Sequence, residues 1–308
     1  MVEVFLYWMQ SSVLEGQHKP VIISEYGVRR LALEQLAAEF DAQVIYTLHS
    51  NHLAAPHRYG SPVRLEMKDL LTRRSADNPL VVLTDEQRLD LWKLYGWDES
   101  IHVIPHYIHG VELERPRDPR KVVMVGRFHK IKGQAAAIRA FRRVVDAVPD
   151  AKLVFYGRGS EEAAMLRSIE ELGITESVSI AGFTSNADEV FAGSAVSIVG
   201  SDYEGFCLSL AESMAQGCIP VSYDIKYGPG QLIDNGTNGF LVDYGNENEL
   251  ADAIILCLTD PVRQKAMSID AVRIRETLSK ERFIEEWRAV FETLSDPTRS
   301  SRRITSSV

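Results

Sequence analysis

Two glutamates stand eight residues apart in the segment SDYEGFCLSLAESMAQGCIPVS, residues 201–222. The segment predicts a short loop, a helix and a strand, because apolar residues recur at helical spacing up to Gly217. Glu204 therefore lies just before the helix, and Glu212 lies about 12 Å further along its axis. Two carboxylates at that separation cannot share one proton, but they can bind two parts of one extended ligand.

The start of this helix offers a second kind of binding group. The first backbone N–H groups of a helix have no partner in a preceding turn, and they point outward with the positive end of the helix dipole. Here they belong to Gly205, Phe206, Cys207 and Leu208. Such a helix start accepts phosphate groups or sugar hydroxyls.

Two cations follow a different predicted strand. Arg127 and Lys132 lie in the segment GRFHKIKG, directly after the apolar run KVVMV. Fixed cations there can stabilise a departing nucleotide diphosphate, which gains negative charge as its bond breaks, without a metal ion. Considered alone, an arginine or a lysine at a strand end is more often a surface or salt-bridge residue.

A histidine ends another predicted strand. Residues 44–48 form an apolar run, His49 follows it directly, and His52 comes three residues later. Ligands of open α/β sheets bind outside the carboxyl ends of the strands, so His49 has a suitable position. A lone histidine there is more often a surface or capping residue, and His52 is the weaker candidate of the two.

Strands and helices alternate along most of the chain. Four strands are predicted before the cationic segment, at residues 21–24, 44–48, 80–83 and 102–105. The strands predicted after that segment are 152–156, 178–181, 195–199, 218–222 and 240–242. Strands that alternate with helices predict parallel sheets with helices on both faces.

The predicted fold class is α/β, with two Rossmann-like domains facing a cleft. Residues 1–112 are assigned to the N-terminal domain and residues 113–278 to the C-terminal domain. The charged segment GVELERPRDPR, residues 110–120, is the predicted linker. An amphipathic helix at 279–295 and a disordered polar tail at 296–308 complete the chain.

Composition excludes several classes of function. The chain has 308 residues and a net charge of −9, which argues against nucleic acid as the main partner. Its three cysteines fit reduced thiols in a reducing compartment rather than a metal cluster. No apolar run is long enough to span a bilayer, and the first residues lack a basic signal-peptide region. We expect a cytoplasmic protein with at most peripheral membrane association.

The two charged motifs together resemble those of a known family. GRFHKIKG is followed, 72 residues after Lys132, by EGFCLSLAE, and this combination resembles the donor-sugar signature of GT4-like retaining glycosyltransferases with the GT-B fold. The resemblance implies that Arg127 and Lys132 bind the diphosphate of a UDP-sugar, Glu204 its sugar and Glu212 its ribose. TLHSNH resembles the segment that carries a catalytic histidine, here His49. No cofactor and no metal ion are implied.

Two further segments resemble one branch of that family. The segment from LVVLTDEQ to HVIPHYI and the segment DIKYGPGQLIDNGTNGFLV resemble enzymes that transfer α-linked glucose or N-acetylglucosamine to wall teichoic acids or serine-rich adhesins. AGFTSN, residues 181–186, resembles the loop that contacts the nucleotide base. The implied function is transfer of a hexose from a UDP-sugar to a hydroxyl of a polymer or protein acceptor.

The N-terminal domain departs from the family pattern. GT-B enzymes open with a strand and a glycine-rich turn, and no such turn precedes Val21. We therefore expect an incomplete N-terminal domain, whose exposed sheet edge is covered by a second copy or a partner chain. This departure favours a second hypothesis, a non-catalytic nucleotide-sugar-binding subunit of a glycosyltransferase complex. A sugar phosphorylase or synthase with the same fold is a third.

Overall fold

The computed structural model describes residues 20–25, 30–53, 62–74, 77–96, 98–109 and 116–295. These residues form two compact units. The first contains the described residues up to 105 together with 281–295, and the second contains the described residues from 106 to 280. The opening segment, most of the linker and the tail at 296–308 lie outside the described residues.

The first unit is built around a four-stranded sheet. All its strand pairs are parallel, in the order β1-β2-β3-β4. Its elements are β1 (Val21–Glu25), α1 (Arg30–Glu39), β2 (Gln43–Leu48), α2 (Leu65–Arg73), β3 (Leu80–Val82), α3 (Asp85–Tyr95) and β4 (Ile101–Val103). The buried core lies between the sheet and its helices and includes Val44, Tyr46, Leu48 and Leu91.

The second unit alternates strand and helix throughout. It begins with β5 (Asp118–Val125), a 3-10 turn (Lys130–Lys132), α4 (Gln134–Ala147), β6 (Lys152–Tyr156), α5 (Glu162–Glu171), β7 (Val178–Gly182), α6 (Ala187–Ala192) and β8 (Ser194–Val199). It continues with α7 (Leu208–Ala215), β9 (Ile219–Tyr223), α8 (Pro229–Leu232), β10 (Phe240–Val242), α9 (Glu247–Thr259), α10 (Pro261–Val272) and α11 (Ile274–Thr277). The predicted linker is wrong at its end, since residues 118–120 belong to β5.

The order of the second sheet determines where its loops meet. The strands are parallel in the order β10-β9-β8-β5-β6-β7, so the chain builds outward from β5 on one side and from β8 on the other. β5 and β8 are neighbours, with Val122 opposite Val196. This is a topological switch point: the chain continues in opposite directions along the sheet from these two neighbouring strands, and ligands of open α/β sheets bind at the carboxyl ends there. The loops that follow β5 and β8 carry the two charged motifs.

A last helix belongs to the first unit although it follows the second in sequence. This helix is α12 (Lys280–Ser295), and its Val290 is buried with Ile45, Val81 and Ile104. Gln43 Nε2 also donates to the carbonyl oxygen of Leu294, at 3.0 Å. The chain therefore returns to the first sheet after completing the second one.

Candidate functional site

The loop after β5 holds both predicted cations. Phe128 is buried and anchors the loop, while Arg127 beside it is exposed. The backbone N–H of Phe128 donates to the carbonyl oxygen of Arg158 at 3.0 Å, which ties the loop to the segment after β6. The 3-10 turn then carries Lys132, and His129 caps that turn by accepting from the backbone N–H of Ile131. The loop thus places an exposed guanidinium and an ammonium group on one short segment.

The loop after β8 brings the first glutamate to this ammonium group. Lys132 Nζ donates to Glu204 Oε1 at 2.6 Å, and Ser201 Oγ donates to the same oxygen at 2.6 Å. Both charged side chains are mostly buried, with 26% and 13% of Lys132 and Glu204 exposed. The structure therefore brings together two residues that lie 72 positions apart in the sequence.

Two glycines permit this approach of the loops. Gly133 has a φ of +73°, and a Cβ atom there would lie 1.8 Å from the carbonyl oxygen of Gly200. The contact involves backbone on both sides, so no side-chain rotation can relieve it. The backbone N–H of Asp202 also donates to the carbonyl oxygen of Ile131 at 2.8 Å. The distance between the two loops is therefore fixed by backbone contacts.

A methyl group at Gly133 tests this fixed contact. Gly133→Ala is expected to lower the free energy of unfolding by about 3 kcal/mol or more, because left-handed strain and a backbone clash add together. Gly173→Ala is the matched control, since Gly173 has a φ of +65° and no atom within 4 Å of the added Cβ. The control is expected to lose only about 1 to 2 kcal/mol in urea denaturation. Equal losses in the two variants would contradict the close approach.

The helix α7 begins at Leu208, three residues later than the predicted start at Gly205. Cys207, with a φ of +71°, precedes the helix, and the backbone N–H groups of Gly205 to Leu208 donate to no acceptor within the described ranges. Leu208, one of the apolar residues at helical spacing, is nevertheless 40% exposed. The left-handed backbone conformation of Cys207 makes Leu208 the first residue of the helix. As a result, Leu208 faces solvent and Leu210 faces inward. The Cys207 side chain itself is buried, which raises the pKa of its thiol.

The second glutamate lies on α7 in a half-buried position. Burial raises the pKa of the Glu212 carboxyl, the nearby Asp188 raises it further, and His109 lowers it. The far end of the helix is held by Arg117, whose guanidinium donates to the carbonyl oxygens of Gln216 and Gly217. Glu212 thus stands on a helix that is anchored at its carboxyl end.

The raised pKa makes Glu212 a source of pH-dependent instability. The folded protein binds the Glu212 proton more tightly than the unfolded chain does, so stability falls as the pH rises from the ordinary glutamate value through the raised one. The free energy of unfolding of Glu212→Gln is expected to exceed that of wild type by up to about 1 kcal/mol at pH 7.5. That difference should shrink at pH 4. A difference that is the same at both pH values would contradict the assignment.

A third segment closes around Glu204. The backbone N–H of Glu204 donates to the carbonyl oxygen of Lys226 at 3.2 Å, and that of Tyr227 donates to the carbonyl oxygen of Glu204 at 3.1 Å. Gly228 lies so close that a Cβ atom there would meet the Phe206 carbonyl oxygen at 2.2 Å. This segment belongs to the stretch at residues 224–242 that resembles one branch of the family. Sequence reasoning placed the stretch but missed these contacts, because no local pattern signals them.

The loops after β6 and β7 flank the cationic loop. A Cβ atom at Gly157 would lie 1.9 Å from the Gly126 carbonyl oxygen, so the loop after β6 packs directly against the end of β5. In the loop after β7, the Phe183 ring is 63% exposed, and the Arg158 guanidinium lies over it at 4.8 Å. The segment that resembles the base-contacting loop therefore presents an exposed aromatic ring with a cation beside it.

The predicted catalytic histidine lies in the first unit. His49 directly follows β2, as predicted, and is half-buried. His52 is fully buried, and its Nδ1 lies 3.4 Å from Gln87 Nε2, which favours a structural role for it. The catalytic role of His49 stays a prediction.

The described ranges contain neither a cluster of metal-ligating side chains nor a membrane-spanning helix. No group of three or more histidine, cysteine, aspartate or glutamate residues is arranged to hold a metal ion there. No helix in those ranges has the length and apolar character needed to cross a membrane.

Comparisons with curated proteins point to enzymes that act on polymers. The chain is 29% identical over 247 residues to poly(glycerol-phosphate) alpha-glucosyltransferase of Bacillus subtilis, covering 78% of this chain and 36% of the relative. It is 27% identical over 255 residues to poly(ribitol-phosphate) alpha-N-acetylglucosaminyltransferase of Staphylococcus aureus, covering 82% of this chain and 51% of the relative. The chain thus spans about half the length, or less, of these relatives.

A solved structure supports the fold. A TarM mutant of Staphylococcus aureus, in complex with fondaparinux, alpha-GlcNAc-glycerol and UDP, matches with a TM-score of 0.76 and 25% identity, over 81% of this chain and 51% of that chain. The prediction of an α/β fold of the GT-B kind is confirmed by this match and by the two parallel sheets. A family model described as "Glycosyl transferases group 1" matches residues 110–273, more than half of the chain. The chain therefore belongs to the glycosyl transferases of group 1.

Proposed function

We propose that the chain is a retaining, metal-independent hexosyltransferase that moves glucose or N-acetylglucosamine from a UDP-sugar to a hydroxyl of a polymer or protein acceptor, such as teichoic acid. The observation that carries the proposal is the contact between Lys132 and Glu204, at 2.6 Å, where the loops after β5 and β8 meet. An ammonium group and a carboxylate fixed side by side suit a ligand that has a diphosphate next to a sugar.

The cations provide the electrostatic part of the proposed reaction. Breaking the bond between the sugar and the diphosphate concentrates negative charge on the leaving group. Arg127 and Lys132 stabilise that charge, with the amides at the start of α7 as further donors. Arg127 is exposed and forms no ion pair with a described residue, so it is available to an incoming anion. In this proposal the protein's own cations supply the positive charge, and no metal ion is required.

The carboxylates orient the two ends of the donor. Glu204 accepts hydrogen bonds from sugar hydroxyls, and its position is fixed by Ser201 and Lys132. Glu212, further along α7, accepts from the ribose hydroxyls. Its half-buried carboxylate is destabilising without a ligand, and ribose hydroxyls would provide the missing donors.

Retention follows if the acceptor attacks on the face that the diphosphate leaves. The leaving phosphate then takes the proton of the acceptor hydroxyl, so no protein nucleophile is needed. His49 contacts the sugar or the developing charge in this proposal. The polymer or protein acceptor is proposed from the named activities of the two curated relatives.

Two further parts of the proposal concern the cellular location of the enzyme and its association with another chain. A cytoplasmic location is supported by three buried cysteines that form no disulfide. A second copy or a partner chain beside β1 is proposed from the sequence.

The proposed function is tested by transfer of labelled sugar. The purified chain is incubated with radiolabelled UDP-glucose or UDP-N-acetylglucosamine and poly(glycerol-phosphate), with and without EDTA. We expect labelled polymer in both conditions. NMR of the product should show an α-linkage, because a retaining enzyme preserves the α-linkage of the donor. If UDP binds but neither transfer nor hydrolysis of the donor occurs, the chain is instead the non-catalytic subunit. Loss of transfer in EDTA would contradict metal independence.

A further inference from the structure

Gln134 joins the two ends of the loop that carries both cations. It is the first residue of α4, only 3% exposed, and directly follows Gly133. Its side-chain Nε2 donates to the backbone carbonyl oxygen of Arg127 at 2.9 Å. This bond links Arg127, the second residue after β5, to the start of the next helix and closes the base of the loop.

The two cations depend on this bond to different degrees. Lys132 is held at its charged end by Glu204, at 2.6 Å. Arg127 has no such partner at its guanidinium within the described part of the chain, and there its carbonyl oxygen accepts only from Gln134. The backbone of Arg127 therefore determines the point from which its side chain leaves the loop, and Gln134 is the side chain that bonds to this backbone.

The other amide atom of Gln134 shows that packing alone does not favour glutamine here. Gln134 Oε1 is buried and accepts no hydrogen bond from any described residue. A buried acceptor without a partner destabilises the fold, whereas methionine fills a similar volume without that cost. A glutamine in this place suits a positioning role better than a purely structural one.

We propose that Gln134 is a positioning residue for the donor diphosphate: it fixes the backbone of Arg127 so that the guanidinium is held ready for the phosphate oxygens. The inference rests on the proposed function, in which Arg127 binds the diphosphate. Because Gln134 acts through Arg127, its contribution to binding should vanish when the guanidinium is absent.

A double-mutant cycle tests this dependence. The affinity for UDP is measured by calorimetry with the full chain, for wild type, Gln134→Met, Arg127→Ala and the double variant. We expect Gln134→Met to weaken binding about fivefold, with a melting temperature equal to or above that of wild type. In the Arg127→Ala background the same change should alter the affinity by less than about twofold.

A matched control separates this bond from other glutamine contacts. Gln264 Nε2 likewise donates to backbone carbonyl oxygens, those of Pro119 and Cys257, each at 3.0 Å. Gln264→Met should leave UDP affinity unchanged. Gln134→Leu, which also lacks the donor, replaces the methionine variant if that one does not fold.

Two outcomes would overturn the inference. One is wild-type UDP affinity in Gln134→Met, and the other is a fivefold loss that persists in full when Arg127 is absent. Failure of wild type itself to bind UDP is a different result, because it would overturn the proposed function rather than the role of Gln134.

Discussion

Replacing Lys132 with alanine is expected to lower kcat/KM for sugar transfer by about 1,000-fold. The ammonium group is the cation that lies fixed against Glu204. In the proposed reaction it stabilises the negative charge that develops on the leaving diphosphate in the transition state. Loss of the group also leaves Glu204 with Ser201 as its remaining side-chain partner among the described residues. The measurement is steady-state transfer with a UDP-sugar, with circular dichroism to verify folding.

Lys130 provides a matched control on the same 3-10 turn. Its side chain is exposed and forms no ion pair with a described residue. Lys130→Ala should keep transfer within about twofold of wild type, because exposed lysines contribute little by long-range charge. Similar losses in the two variants would mean that general positive charge, rather than the fixed ammonium group, assists the reaction.

Replacing Glu204 with glutamine is the second change with a large expected effect. Glutamine preserves the shape of the side chain and can still accept from Ser201, but it removes the negative charge next to Lys132. A charged acceptor binds sugar hydroxyls more strongly than an amide oxygen does. We expect kcat/KM for transfer to fall by about 100-fold or more. The free energy of unfolding should also fall, because the mostly buried ammonium group of Lys132 loses its charged partner.

Two comparisons make the Glu204 result specific. Glu170→Gln, at an exposed position on α5, should leave transfer unchanged. Glu204→Asp should also lose most activity, since one fewer methylene withdraws the carboxylate by about 1.5 Å from Lys132. Full activity in Glu204→Gln would remove this residue from the proposed mechanism.

Much of the second unit could be predicted from local patterns. β6 at Lys152–Tyr156 and β10 at Phe240–Val242 have the predicted bounds, because short apolar runs between turn residues mark buried strands. The meeting of the loops after β5 and β8 could be predicted too. It follows from strand alternation and from the family resemblance of the two motifs they carry.

The contacts that hold the site together could not be predicted in the same way. The approach of Gly133 to Gly200 and the bond from Gln134 to Arg127 depend on backbone positions that come together only in the folded sheet. Nor does apolar spacing reveal that Cys207 adopts a left-handed conformation, which shifts the register of α7 and exposes Leu208. Local patterns indicate which residues are candidates, whereas tertiary packing determines their geometry.

The most direct test of the central claim is a crystal structure of the full chain with bound UDP-glucose. We expect the diphosphate within hydrogen-bond distance of Arg127 and Lys132, with the glucose hydroxyls at Glu204 and the ribose at Glu212. A nucleotide bound elsewhere, or one whose diphosphate contacts neither cation, would rule out the proposed donor site.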